Sequence, residues 1–245
     1  AAKQIPIEST HIVVSQNLLP FVFETGVLGG RTFDVLMTRL PLEKLHQRLD
    51  FAHAKYPDSP TLQDFRAPRH VLDMENKALN KARKIITPHT EIADIFRHKV
   101  EKLNWVVPPA QRRMQKGSQI LFPASAVGRK GAYEIRQVAK ELQLDLVVAG
   151  GAIEKDGFWE DVQVEKFNGD FDNIAVMLYP AYVEHQPRQL LKAISKGISV
   201  ITTTACGIDS SDTVTVLEIG NLEQLKHEVR KYRDGNAITD FTVRQ

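Results

Sequence analysis

The stretch NIAVMLYPAYVEHQPRQLLKAISKGISVITTTACG, residues 173–207, decides the fold class. Residues 174–178 (IAVML) form the short apolar run required of a parallel strand covered on both faces. Residues 179–183 follow as a loop. Pro187 suits the first turn of a helix, where its fixed φ fits and its missing N–H would have had no helical partner. Leu190, Leu191 and Ile194 then recur at helical spacing, and Gly197 stands where a helix C-cap is expected. Residues 198–203 (ISVITT) are a second, β-branched strand. Strand, loop, helix, glycine and strand make one βαβ unit whose ligand-facing loop is 181–186.

Around this unit, 245 residues admit one large domain or two smaller ones. Apolar content of 42% and charged content of 25% are those of a soluble globular chain. No run approaches the ~18–20 apolar residues of a spanning helix, and residues 18–23 are interrupted by Pro20. A single cysteine, Cys206, excludes an intramolecular disulfide framework and a Cys-based zinc site. A reducing, cytoplasmic location with no secretory signal is therefore expected. The net charge of +2 conceals an asymmetry: residues 1–118 hold 18 Lys+Arg against 12 Asp+Glu, and residues 119–245 hold 14 against 18. A basic first half suits an acidic acceptor or a peripheral contact with an anionic membrane. A solvated mixed surface accounts for the same counts. No basic stripe interleaved with aromatics is present, so no nucleic-acid partner is expected.

In chain order, residues 11–15 (HIVVS) read as a buried strand and 16–23 as its end or a loop. Gly26, Gly29 and Gly30 make a turn before Arg31, either a plain loop or an anion cradle. Residues 42–54 and 71–84 are amphipathic helices, the second with Val71, Met74, Ala78, Leu79 and Ala82 on one face. Segment 56–68, with three prolines, joins them in extended form. After a short strand at 85–87, Thr87 and Pro88 suit the N-cap and N1 of a helix with Ile92, Ile95 and Phe96 on its apolar face. His89, at that start, is either a capping-turn histidine or a substrate contact. WVVPP (105–109) ends a crossover, and 111–118 is a basic, flexible link. Further strands are expected at 119–122, 144–149, 162–164 and 214–217. A helix beginning near Lys130 carries Ile135, Val138, Ala139 and Leu142, and Asn221-x-x-Gln224 is a capping box for a helix bearing Leu222, Leu225 and Val229. Such alternation of β and α specifies a parallel, doubly wound sheet.

LYP at 178–180, Glu184, a helical position eight residues later (Lys192) and K-G-x-x-V at 196–200 together resemble the donor-site signature of retaining glycosyltransferases of family 4. ENKALNKARKIITPHTEIADIF (75–96) resembles the same family, and the likeness runs over roughly residues 75–234. The resemblance implies an α/β, GT-B-like fold. One complete Rossmann-like doubly wound parallel sheet at 105–245 would bind the donor, preceded by a partial or shortened N-terminal Rossmann-like domain with crossover helices at 1–104. The implied reaction moves a sugar, with retention, from a nucleotide-diphosphate sugar to a carbohydrate or glycolipid acceptor. It implies no cofactor beyond the donor substrate and no metal. A catalytically inactive relative that binds nucleotide or a partner protein is the alternative.

By the same resemblance Glu184 is the catalytic-site carboxylate over the donor sugar. Lys130 and Gly131 match the family's Lys-Gly, which follows a Gly-Arg pair by four residues. That pair is Ala124–Ser125 here, so Ser125 replaces one phosphate-binding cation and Arg129 is the neighbouring substitute. Lys192 replaces a Glu that accepts ribose hydroxyls, and lysine carries donors only.

The residues carry a chemical reading of their own. Cations at a helix start oppose the helix dipole by a few tenths of a kcal/mol each. An anion opposite Arg129 and Lys130 relieves that, and helix N-termini bind phosphate; a solvated basic turn is the plainer alternative. Glu184 beside a helix start either accepts sugar hydroxyls or complements the dipole. The backbone N–H groups of His185 and Gln186, and those around Thr204 in TTACG (203–207), are further candidates for phosphate or sugar oxygens. Cys206 reads as small packing, with no base nearby to activate it.

Overall fold

The computed structural model describes residues 5–109 and 117–241. It divides into two compact units. One comprises the chain up to Val106 together with Val183–Pro187 and Ala205–Asp209; the other holds Val107–Tyr182, Arg188–Thr204 and the chain from Ser210.

The first unit is built from β1 (His11–Ser15), α1 (Leu19–Glu24), β2 (Thr32–Leu36), α2 (Leu42–Lys55), α3 (Arg69–Lys81), β3 (Lys84–Thr87), α4 (Thr90–Ile95) and β4 (Val100–Lys102). Its four strands are parallel, in the order β1-β2-β3-β4. Val14, Phe33, Val35 and Ile85 form the strand side of the core, and α2 adds Leu45, Leu49 and Ala52. That i, i+4, i+7 spacing is the apolar stripe of a core-facing helix.

Several expectations are corrected here. Residues 16–23 contain α1, because Pro20 sits at the start of the helix, where it costs no hydrogen bond. β2 was hidden by Asp34, a charged residue inside the strand. Its carboxylate is buried and accepts two bonds from the Arg83 guanidinium, at 2.9 and 2.6 Å. Arg83 holds the Asp34 pKa below its ordinary value against the opposing effect of burial. β4 was hidden by its brevity: an exposed VEK edge shows no alternation. The buried face of α3 is Leu72, Glu75, Ala78 and Leu79, with Val71 and Met74 only half-buried. Glu75 takes a core position because Arg39 (2.7 Å) and the Leu42 N–H (2.5 Å) both reach its carboxylate. The helix expected from Thr87–Pro88 starts at Thr90, with His89 as its N-cap.

The second unit contains β5 (Gln119–Phe122), α5 (Ala132–Leu142), β6 (Leu146–Val148), β7 (Val164–Lys166), β8 (Ile174–Tyr179), α6 (Arg188–Ser195), β9 (Ser199–Thr203), β10 (Val214–Leu217) and α7 (Leu222–Phe241). All six strands are parallel, in the order β7-β6-β5-β8-β9-β10. The chain moves outward from β5 to β7, returns to the far side of β5 as β8, and moves outward again. This is the doubly wound Rossmann order, with its reversal between β5 and β8.

All six residues of β8 are buried, as a strand covered on both faces requires. Gly197, at φ 68°, turns the chain from α6 into β9. The strand expected at 162–164 lies two residues later, at the exposed sheet edge. Asn221 caps α7 through the Gln224 N–H (3.0 Å), but the Gln224 side chain turns to the Glu218 N–H, so half of the expected box forms. Residues 111–116 of the basic link lie outside the described residues.

Candidate functional site

A parallel sheet of this order opens a crevice at the carboxyl ends of the strands where the order reverses. In the second unit these are the ends of β5 and β8. The loop leaving β5 passes Ser125, half-buried, whose backbone lies so close to Gly150 that a side chain at 150 would overlap it. The chain then makes a 3-10 turn, Gly128–Lys130, and Gly131 enters α5 at φ 81°. Arg129 and Lys130 therefore stand just before the helix, half-buried, and α5 proper begins at Ala132, slightly later than expected. The Lys130 ammonium lies 5.7 Å from the ring centroid of Tyr179, the last residue of β8.

Gly131 packs on the Pro180 carbonyl, which brings the loop after β5 against the loop after β8. The Tyr182 N–H donates to the Arg129 carbonyl at 2.9 Å, and the Tyr182 hydroxyl donates to the buried Glu134 carboxylate at 2.5 Å. The Thr202 and Thr203 hydroxyls donate to the carbonyls of Tyr179 (3.0 Å) and Ala181 (2.5 Å). The loop after β9 is thereby held to the same place, and Thr204, exposed, opens the 3-10 turn Thr204–Cys206. Three loops are stitched around a helix start that carries two cations. The first-turn N–H groups of α5 have no carbonyl partner within the helix, and the positive fields of Arg129 and Lys130 add to theirs, so the electrostatics of this helix start favour an anion.

Lys192 is exposed on α6, its ammonium 4.8 Å from the centroid of buried Phe171. The structure thus sets Lys192 on an aromatic face in the segment that leads into β8. Asp170 and Asp172 flank Phe171 with the spacing of a D-x-D pair. Both are exposed, and Asp172 stands just before β8, at the amino end of that strand.

Glu184, His185 and Gln186 belong to the first unit. The Glu184 carboxylate accepts the N–H groups of His185 (2.7 Å) and Gln186 (2.9 Å) through one oxygen. Glu184 thus closes its own loop, and in this structure both N–H groups expected to face a ligand donate to it. His89, in the same unit, is fully buried and makes no capping bond. Its Nε2 donates to the Ala205 carbonyl at 3.1 Å. Gly207, at φ 60°, lies against the imidazole so closely that a side chain there would collide with it. The Thr90 N–H (3.1 Å) and the Trp105 indole (2.8 Å) both donate to the Gly207 carbonyl. Thr90 and Lys102 hold the Asp209 carboxylate at 2.8 and 2.9 Å. The 205–209 loop is thus fixed by His89, Thr90, Lys102 and Trp105.

Burial lowers the His89 pKa below 6.5, opposed by the Ala205 and Glu184 backbone and the Glu184 charge. A histidine whose folded pKa is depressed takes up a proton more readily when unfolded, so stability falls as pH drops through the unfolded value of about 6.5. Chemical denaturation at pH 7.5 and pH 5.5 should show the wild-type chain losing more stability on acidification than His89→Gln does. Equal losses would mean that His89 is not held neutral.

No protein-family model matches the chain, and no curated protein matches it in sequence. Solved structures do resemble it. The crystal structure of TarM superimposes with a TM-score of 0.60 at 11% identity, over 90% of this chain and 47% of TarM. The apo form of the lipopolysaccharide outer core galactosyltransferase WaaB gives 0.58 at 12% identity, over 96% of this chain and 68% of WaaB. Anabaena Alr3699/HepE in complex with UDP gives 0.55 at 12% identity, over 91% and 69%. The chain spans about half the length of TarM and about two thirds of the other two. At such identities the likeness is one of fold, and it agrees with the two parallel sheets and the strand reversal between β5 and β8: the chain has a GT-B-like α/β fold with two Rossmann-like units.

Proposed function

We propose that this chain is a glycosyltransferase, or the donor-binding part of one, of the retaining family 4 type. It would transfer a sugar from a nucleotide-diphosphate sugar to a carbohydrate or glycolipid acceptor. The observation that carries this reading is the place of Lys130: a cation at a helix start, beside the reversal point of a doubly wound sheet, on a loop held by its neighbours. The structures it resembles include a galactosyltransferase and a protein bound to UDP, which agrees with the reading.

In the proposed reaction the bond between the sugar's anomeric carbon and the diphosphate oxygen breaks. The bonding pair leaves with the nucleoside diphosphate, and the acceptor oxygen forms the new bond at the same face while its proton passes to the departing diphosphate oxygen. Lys130, Arg129 and the α5 helix start would meet the charge that develops on the leaving diphosphate. Thr204 would stand at the diphosphate end.

The test is thermal stability of the chain against UDP, GDP, ADP and their sugars. A ligand at a hundred times its dissociation constant stabilises by ~2.7 kcal/mol. For a chain of this size that is a rise of roughly 5–10 °C. One nucleotide should give this rise and name the base. No rise with any nucleotide, in this chain and in the longest chain that contains it, would refute the proposal.

A further inference from the structure

Resting on that reading, we propose that Glu154 is a positioning residue that holds the cation-bearing turn in its binding shape. Glu154 is 3% exposed, in the loop that leaves β6. One oxygen of its carboxylate accepts the Gly128 N–H at 3.0 Å and the other accepts the Tyr133 hydroxyl at 2.9 Å. Gly128 opens the 3-10 turn and Tyr133 lies in the first turn of α5, so one side chain clasps both ends of the segment that carries Arg129, Lys130 and Gly131.

The backbone is fastened in the same place. The Ala126 N–H donates to the Gly151 carbonyl (2.9 Å), the Glu154 N–H donates to the Ala126 carbonyl (2.9 Å), and Ala126 and Ala152 form a parallel bridge. The loop after β6 thus continues the pairing of β5 with β6 beyond the ends of the strands.

Burying a carboxylate is costly unless donors satisfy it. A carboxylate, with acceptor oxygens only, fits an N–H and an O–H arriving from two sides. Glu154 makes no bond to the ligand in this scheme. Its effect passes through the geometry of the turn, and it should be felt at the diphosphate and not at the nucleoside.

The experiment measures binding to the full chain, well below its melting temperature. The ligands are the diphosphate among UDP, GDP and ADP that the wild type binds, and the corresponding monophosphate. Glu154→Ala should weaken the diphosphate about tenfold, the scale of about one lost hydrogen bond to a charged group, and leave the monophosphate within about twofold. Glu154→Gln, which can accept from Gly128 and donate to the Tyr133 oxygen, should restore affinity to within about threefold. Leu225→Ala, which thins the core under α7, serves as a control for destabilisation alone and should leave both affinities unchanged. If Glu154→Ala does not fold, Tyr133→Phe takes its place, with a smaller loss of about two- to threefold confined to the diphosphate.

Equal losses for the two ligands, or no loss, would overturn the inference while leaving the proposed function standing. A wild-type chain that binds none of the three diphosphates would overturn both.

Discussion

Gly131→Ala should lower the stability of the chain by about 3 kcal/mol. Two effects add. The residue sits at φ 81°, in the left-handed region that favours glycine, and an alanine there costs about 1 kcal/mol. The new methyl group would also run into the Pro180 carbonyl, a backbone atom held in turn by the neighbouring loop. Overpacking against a fixed neighbour costs typically about 1–3 kcal/mol. Gly169 is the control. It has φ 94° but open space where a side chain would go, so Gly169→Ala bears the backbone cost without the collision. Thermal melting should show Gly131→Ala falling by roughly 6–12 °C and Gly169→Ala by less than half as much. Equal shifts would mean that the approach of the two loops does not matter to the fold.

Lys130→Ala should act on the ligand and leave the fold intact. The ammonium is half-buried, and its contact with the Tyr179 ring at 5.7 Å is worth about 0.5–1 kcal/mol. A charge-assisted hydrogen bond to a phosphate is worth about 1.5–3 kcal/mol. Nucleotide-diphosphate affinity should therefore drop by about 10- to 150-fold with little change in melting temperature. Lys130→Arg, which keeps the charge, should recover part of the loss. An affinity unchanged in Lys130→Ala would remove the diphosphate from this loop.

The second sheet was legible because its signals are local. β8 is an uninterrupted apolar run, β9 is rich in β-branched residues, Gly197 marks the turn between α6 and β9, and Pro187 precedes α6. Two strands of the first sheet, β2 and β4, were not, and for physical reasons. Asp34 lies inside β2 and is tolerated because Arg83, 49 residues away in sequence, reaches it, with His11 at 3.2 Å on the neighbouring strand. No periodicity in residues 32–36 could reveal that partner.

The site divides in the same way. Lys130, Arg129 and Glu184 stand out by residue type and position. Glu134 and Glu154 do not, since their roles come from contacts across the fold: Glu134 with Tyr182, Glu154 with Gly128; His89 stood out by position, but its bond to Ala205 did not. Gly131 is intermediate. Its place in Lys-Gly was visible, but the reason for glycine there is Pro180, which only the folded chain supplies.

The central claim is that the loops after β5 and β9, at the strand reversal of the second unit, hold a nucleoside diphosphate. Amide hydrogen exchange, with and without the nucleotide picked out by the stability panel, tests it most directly. Protection should rise in residues 126–133 and 203–204 and stay unchanged at the amino ends of β5, β6 and β7. There a cleft of about 400 Å³, lined by Ser118, Gln119, Asp145, Gln163 and Glu165 among others, offers the competing place for a ligand. Protection at that cleft, with residues 126–133 unchanged, would contradict the account.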